Sequence, residues 1–217
     1  MKTPYATEWP RAHRFNRLVR TNRRLWLDLV VKAALVALLL FGAFSGLERF
    51  EGKAFGGRAI AYPIATLIVP FGWWIVARRR GRRPDYPYLL DILLVLPFLI
   101  DTVGNALDLY DTIGWWDDAN HFVNWGLLTL AFGELLLRLP FGRWNTFALA
   151  VGFGAVTAVL WEFAEYITFI RNSDELETAY TDTLGDLALG LSGSVVAAAV
   201  TALRREPPVS GRSSPPA

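Results

Sequence analysis

The chain has 217 residues, of which 53% are hydrophobic and only 19% charged, with 9 tryptophans. Soluble domains carry about a quarter of charged residues, and here the apolar residues fall into runs of about 20, the length that crosses a bilayer core, so an ordinary soluble domain is excluded. With 0 cysteines, disulfides, thiolate catalysis and zinc–thiolate sites are excluded as well, and the net charge of +2 matters less than its distribution.

Residues 1–24 read as a basic arm. Arg11, Arg14, Arg17, Arg20 and Arg23 recur every third residue, joined by Lys2 and Arg24. On a helix this is a cationic stripe, suited to a topology signal or to anionic headgroups. His13, inside the arm, reads as a solvated side chain. The arm lacks the apolar core of a cleavable leader, so the first apolar run is expected to stay as a helix.

That first helix is expected over Leu25–Leu47, with Asp28 and Lys32 at an i, i+4 spacing that lets them pair. A polar loop, Glu48–Gly57, leads to a second helix, Arg58–Ala77, in which Pro63 and Pro70 are expected to produce a kink. Trp73 and Trp74 mark an interfacial belt at its end. The run Arg78-Arg79-Arg80-Gly81-Arg82-Arg83 follows. A third helix is expected over Tyr88–Leu109, with Asp101, Asn105 and Asp108 on one face.

After a link from Tyr110 to Trp116, a fourth helix is expected over Asp118–Leu139, with His121, Asn124 and Trp125 in its first turns. A tight turn at Pro140–Arg143 precedes a fifth helix, Trp144–Ile170, whose Gly152, Gly154, Ala155 and Ala158 allow close helix approach. The polar loop Arg171–Thr181 leads to a sixth helix, Asp182–Leu203, with Gly190 and Gly193 in its middle. From Arg204 the Pro, Ser and Gly content points to a disordered tail.

Orientation follows from the basic residues. With the N-terminus inside, 17 of the 22 Lys and Arg residues fall on the cytoplasmic side and 4 (Arg49, Lys53, Arg58 and Arg171) on the other, with Lys32 inside the first helix. The expected fold class is therefore all-α: a polytopic membrane helical bundle of about six transmembrane helices with both termini cytoplasmic. The arm (1–24), one transmembrane domain (25–203) and the tail (204–217) make up the chain.

This topology gathers polar groups at the outward ends of helices three to six. Glu162 and Glu165 are i, i+3, Asp182 and Asp186 are i, i+4, and His121 projects from the fourth helix beside either pair. Charged groups inside a membrane are costly and face the bundle interior or a water-filled cavity, and so many carboxylates need cations or shared protons to relieve their repulsion. A divalent metal is one solution, with His121, Glu162, Glu165, Asp182 and Asp186 as ligands and Asp101, Asn105, Asp117, Asp118, Asn124 and Trp161 in supporting or ligand-contacting positions. Proton or cation handling is a second solution, for which Asp91 and Glu134 are the only inner-side candidates. A structural hydrogen-bonded network is the third, with Asp118 and Asp182 as helix caps or first-turn acids.

The pattern Trp115-Trp116-Asp117-Asp118, then His121-Phe122, then Glu162 and Glu165, then Asp182-Thr183 and Asp186, resembles the YjdF-like family of bacterial inner-membrane proteins. It is similar, more distantly, to the VanZ-like group, although Gly190 stands where some VanZ-like members carry a polar residue. The resemblance covers roughly residues 88–203. It implies a multi-pass protein of the bacterial inner membrane with an envelope role and contact with a lipid-linked or cell-wall precursor, and it implies no reaction.

Two functional classes follow. One is a metal-dependent enzyme or binding protein acting on a lipid-linked or phosphorylated envelope compound, with Glu162 or Glu165 as general base. The other is a non-catalytic transporter or envelope accessory whose carboxylates hold protons or hold the bundle together. The expected partners are membrane lipids; no phosphate-cradling Gly loop, Ser-His-Asp set or nucleic-acid surface competes.

Overall fold

A computed structural model describes residues 9–171 and 174–205, so the first 8 residues of the arm and the tail beyond Arg205 lie outside the described residues. Every element among the described residues is helical. The basic arm is continuous with the first apolar segment, and the two form a single 36-residue helix, α1 (Trp9–Phe44). A short 3-10 turn, Glu48–Phe50, leads to α2 (Phe55–Arg80). Then come α3 (Tyr88–Ala106), the single turn α4 (Leu109–Thr112), α5 (Trp116–Leu136) and α6 (Arg143–Glu165). α6 passes into a π-helical turn, Tyr166–Ile170, and a 3-10 turn, Asp174–Glu177, precedes α7 (Ala179–Leu203).

Several boundaries depart from expectation for local reasons. α3 stops at Ala106, and Asp108 takes a left-handed backbone with φ of 58°, which Asp tolerates better than most residues. Asp108 thereby leaves the helical face it was expected to share with Asp101 and Asn105. α2 is one unbroken helix through Pro63 and Pro70, where the Thr66 hydroxyl donates to the Pro63 carbonyl at 2.6 Å. α7 begins three residues before Asp182, so Asp182 lies in its first turn and is not its cap. Asp118 likewise lies in the first turn of α5, whose capping position is Trp115 and has no side-chain cap.

Five segments are long and apolar enough to cross a membrane: Asn22–Phe44, Phe55–Arg80, Tyr88–Ala106, Arg143–Thr168 and Ala179–Leu203. α5, at 21 residues, has the length but carries Asp117, Asp118, Asn120, His121 and Asn124 in its first turns. Its position accounts for its polarity: α5 packs against α3, α6 and α7, so neighbouring helices face groups that lipid would not accept. The long helices alternate in direction. The C-terminal ends of α1, α3 and α6 therefore share one face of the bundle with the N-terminal ends of α2, α5 and α7. We refer to this as the site face.

Small residues set the spacing within the bundle. A Cβ at Gly193 of α7 would collide with the Phe122 carbonyl of α5, and one at Gly190 would stand 2.6 Å from the Trp125 ring. Gly133 packs against Thr201, and Gly154 of α6 against Ser194 and Thr129. Of the four small residues expected to permit close approach of α6, Gly154 and Ala158 are buried, whereas Gly152 is exposed with open space around it. Close backbone approach supplies dispersion contacts, which drive helix association where lipid removes the hydrophobic difference.

Away from the site face, the expected Asp28–Lys32 pair is present at 3.1 Å, and the Lys32 ammonium also reaches Asp91 of α3. Val31, Leu35, Leu39, Tyr62 and Val95 form the apolar core beyond it, joining α1, α2 and α3. On the other side of the bundle, Arg204 donates to Glu134 at 2.5 Å and Arg205 to the Thr146 hydroxyl at 3.1 Å.

The packing makes a testable contrast. Gly193→Val forces α5 and α7 apart and is expected to cost about 1–3 kcal/mol, the usual penalty of overpacking. Gly152→Val, in open space, is expected to stay within about 0.5 kcal/mol. Thermal unfolding of both variants in the same detergent checks the difference.

Candidate metal centre

His121 sits one turn into α5 and is 8% exposed. Acidic groups from three helices surround its ring. Asp117 precedes it by four residues, which places both on one face of α5, and its Oδ1 lies 3.6 Å from Nε2. Asp186, from the second turn of α7, brings its Oδ1 to 3.6 Å from the same nitrogen. On the other edge of the ring, Glu162 Oε1, from the last turn of α6, lies 3.8 Å from Nδ1.

Potential ligand atoms of Asp117, His121 and Asp186 all lie within 4.8 Å of one another, as do those of His121, Glu162 and Glu165. Ligands of a four-coordinate ion bound at about 2.0–2.2 Å stand roughly 3.3–3.6 Å apart. The observed separations are close to that spacing and too long for hydrogen bonds. His121 Nδ1 and Glu162 Oε1 are both buried with no hydrogen-bond partner, so the cluster does not satisfy its own polar atoms. Buried polar atoms are otherwise almost always satisfied.

The two edges of the imidazole have different surroundings. The Nε2 edge leads outward, since the Asp117 side chain is 47% exposed and Asp182, one turn before Asp186, is exposed. The Nδ1 edge is closed, with Glu162 only 6% exposed. Glu165 is half-buried one turn further toward the site face.

The residues expected at the site therefore separate by position. His121, Glu162, Glu165 and Asp186 come together. Asp182 belongs to neither group of converging ligand atoms, and Asp118 is exposed on the far side of the first turn. Asp117, expected only in support, is beside the ring; its i, i+4 spacing from His121 was the available signal. The Asn124 amide donates to the Asn120 side-chain carbonyl at 3.0 Å, and its own oxygen is buried without a partner. Trp161 stands one turn before Glu165, 38% exposed.

Asp101 and Asn105 belong to a different network. One Asp101 oxygen accepts from Tyr62 at 2.7 Å and Arg58 at 3.1 Å, and the other from Tyr110 at 2.9 Å and Asn105 at 3.1 Å. With its acceptors occupied, Asp101 ties α2, α3 and α4 together and is not available to a ligand. Beside it, Lys53 bonds to Asp108, to Asp111 at 3.0 Å and to the Asn105 carbonyl at 3.2 Å, while Arg49 reaches Asp108 at 2.8 Å. This strap holds the α1–α2 loop over the end of α3. Nothing in the spacing of Lys53 foretold it, because it depends on the left-handed turn at Asp108.

These features define an all-helical, multi-pass membrane protein with a buried His–carboxylate centre at one face. The chain belongs to the family described as Predicted membrane protein (DUF2238), which it matches over residues 27–207. No curated protein and no solved structure matches it.

The strap gives a pH dependence whose sign is fixed. Hydrogen bonding to Lys53 holds the Asp108 carboxyl below its ordinary range, so its contribution is present above about pH 4 and is lost as pH falls through the depressed value. Burial alone would lower the Lys53 ammonium, but the bonds to Asp108 and Asp111 outweigh it and raise it, so its contribution is lost only as pH climbs past about 10.5. The melting-temperature gap between wild type and Lys53→Met is therefore expected to be constant from about pH 5 to pH 9 and to shrink below about pH 4. Melting curves across that range measure it.

Proposed function

We propose that the protein binds a divalent cation on the Nε2 side of His121, with Asp117 and Asp186 as co-ligands, at the non-cytoplasmic face of a bacterial inner membrane. The carrying observation is a buried imidazole whose Nε2 stands 3.6 Å from a carboxylate oxygen of Asp117 and 3.6 Å from one of Asp186, at ligand spacing and too far to hydrogen-bond. Mixed His and carboxylate donors suit Zn, Mn or Fe. Glu162 stands 3.8 Å behind Nδ1, the side from which a carboxylate would orient a metal-binding histidine once closed to hydrogen-bond distance. Glu165, which is less buried, is left as the better-placed general base.

Charge distribution supports a cation. By connectivity, 14 of the 20 acidic side chains fall on the site face, against 4 of the 22 basic ones. Three of those four, Arg49, Lys53 and Arg58, are already paired with Asp108, Asp111 and Asp101. An anionic compound would meet repulsion here unless a bound cation offset its charge. Phe163 and Ile167, 61% and 56% exposed beside the α6 carboxylates, offer an apolar surface at the same end. A lipid-linked phosphorylated envelope compound fits that combination, in line with the resemblance to YjdF-like and VanZ-like proteins.

The competing readings have less support. A proton or cation pathway through Asp91 and Glu134 has less support, since Asp91 is engaged by Lys32 and Glu134 by Arg204. A self-contained structural network would satisfy its own buried atoms, and this one does not.

Metal analysis of detergent-purified protein is expected to find about one divalent ion per chain, lost in His121→Ala and Asp186→Asn and retained in Asp182→Asn. A metal-free protein whose melting temperature ignores added zinc and manganese would sink the proposal. The native chain has no cysteine, so single-cysteine variants report orientation cleanly. Glu51→Cys is expected to react with an impermeant maleimide outside the cell, and Arg82→Cys only after permeabilisation; the reverse pattern would overturn the topology.

A further inference from the structure

Between the middle of α1 and the first turn of α3 lies a second buried polar group, unconnected with the His121 centre. Asp91 is 0% exposed and Asp28 4% exposed. Lys32 donates to Asp28 Oδ2 at 3.1 Å and to Asp91 Oδ2, and the Tyr86 hydroxyl also donates to Asp91 Oδ2. Tyr88, tilted against Tyr86 with ring centroids 4.8 Å apart, is a further titratable neighbour. Burial, followed by the bond to Asp91, raises the Tyr86 hydroxyl above its ordinary value, so it stays a donor.

The charges do not balance. Two carboxylates share one ammonium, within the part of the helices that crosses the membrane. The second oxygen of each carboxyl, Asp28 Oδ1 and Asp91 Oδ1, is buried with no partner. An uncompensated buried charge is strongly unfavourable, and a proton is the smallest group that removes it.

We infer that the Asp28–Lys32–Asp91–Tyr86 cluster is a proton-binding site holding one exchangeable proton, carried on Asp28. The donor count decides the carrier. Among the described residues Asp91 accepts from both Lys32 and Tyr86, whereas Asp28 accepts from Lys32 alone. The site is then neutral: a carboxylic acid, an ammonium and a carboxylate. Loss of the proton leaves one net negative charge between α1 and α3, so the packing of these two helices is coupled to protonation.

Infrared difference spectroscopy of the full-length protein in lipid nanodiscs tests this through the carbonyl stretch of a protonated carboxylic acid. The wild-type minus Asp28→Asn spectrum is expected to show one such band, shifted by deuterium exchange. Asp28→Asn mimics the protonated form and should melt within a few degrees of wild type. Lys32→Met removes the one cation that the described residues bring to these acids, so both should protonate and the band should grow about twofold, the ratio of two protonated acids to one. Metal content is expected to be unchanged in Asp28→Asn, which separates this site from the His121 proposal. An absent band in the Asp28 difference spectrum would overturn the inference. So would a melting temperature that rises with sodium at constant ionic strength, which would mean that a metal cation neutralises the site instead.

Discussion

The structure depends on how closely α5 and α7 approach. Gly193 has no side chain because the Phe122 carbonyl occupies the space one would need, and Gly126 faces Gly193 from α5. Phe122 is the residue after His121, and Asp186 lies two turns before Gly193 on the same helix. The backbone contact therefore holds α7 where an α7 carboxylate can reach an α5 imidazole. Larger residues at the crossing would widen the interface and carry Asp186 away from the ring. The polar centre exists because the apolar interface beneath it is built of the smallest residues.

A second constraint separates the polar groups by task. Asp101 takes four hydrogen bonds and Asp108 is held by Lys53 and Arg49, so these carboxylates fasten α2, α3 and α4 and the α1–α2 loop. Among the described residues, Asp117, Glu162 and Asp186 are paired with no Lys or Arg, and the His121 ring is the group they share. Side chains that looked alike as acids at helix ends differ in whether the fold has already matched their charge. Those left unmatched and buried are the ones whose chemistry calls for a ligand.

Much of this was legible in the sequence. Apolar run lengths located the helices, and the Asp28–Lys32 spacing announced a pair that is present. The helical spacing of Glu162 with Glu165, and the placement of His121 near a helix start, located the centre. Other features depend on tertiary information. Asp108 fell out of its expected face because a left-handed residue ended α3 early, and periodicity does not register a single backbone flip. Asp182 could not be told from Asp186 because both share a face of α7, and only the depth of the helix in the bundle decides which one reaches His121. Lys32 finding Asp91, 59 residues away, is likewise a product of helix packing.

The polarity of α5 has a consequence for how the protein is made. A segment carrying Asp117, Asp118, Asn120, His121 and Asn124 partitions poorly into lipid alone, since each charged residue near a helix centre adds about 2.5–3.5 kcal/mol to insertion, with less near the ends. Of its packing partners, α3 is synthesised before it and α6 and α7 afterwards. The polar first turns of α5 are therefore enclosed on all sides only once α6 and α7 have followed it into the bundle. The last third of the chain is thus as much a shield for the polar start of α5 as a source of acidic side chains.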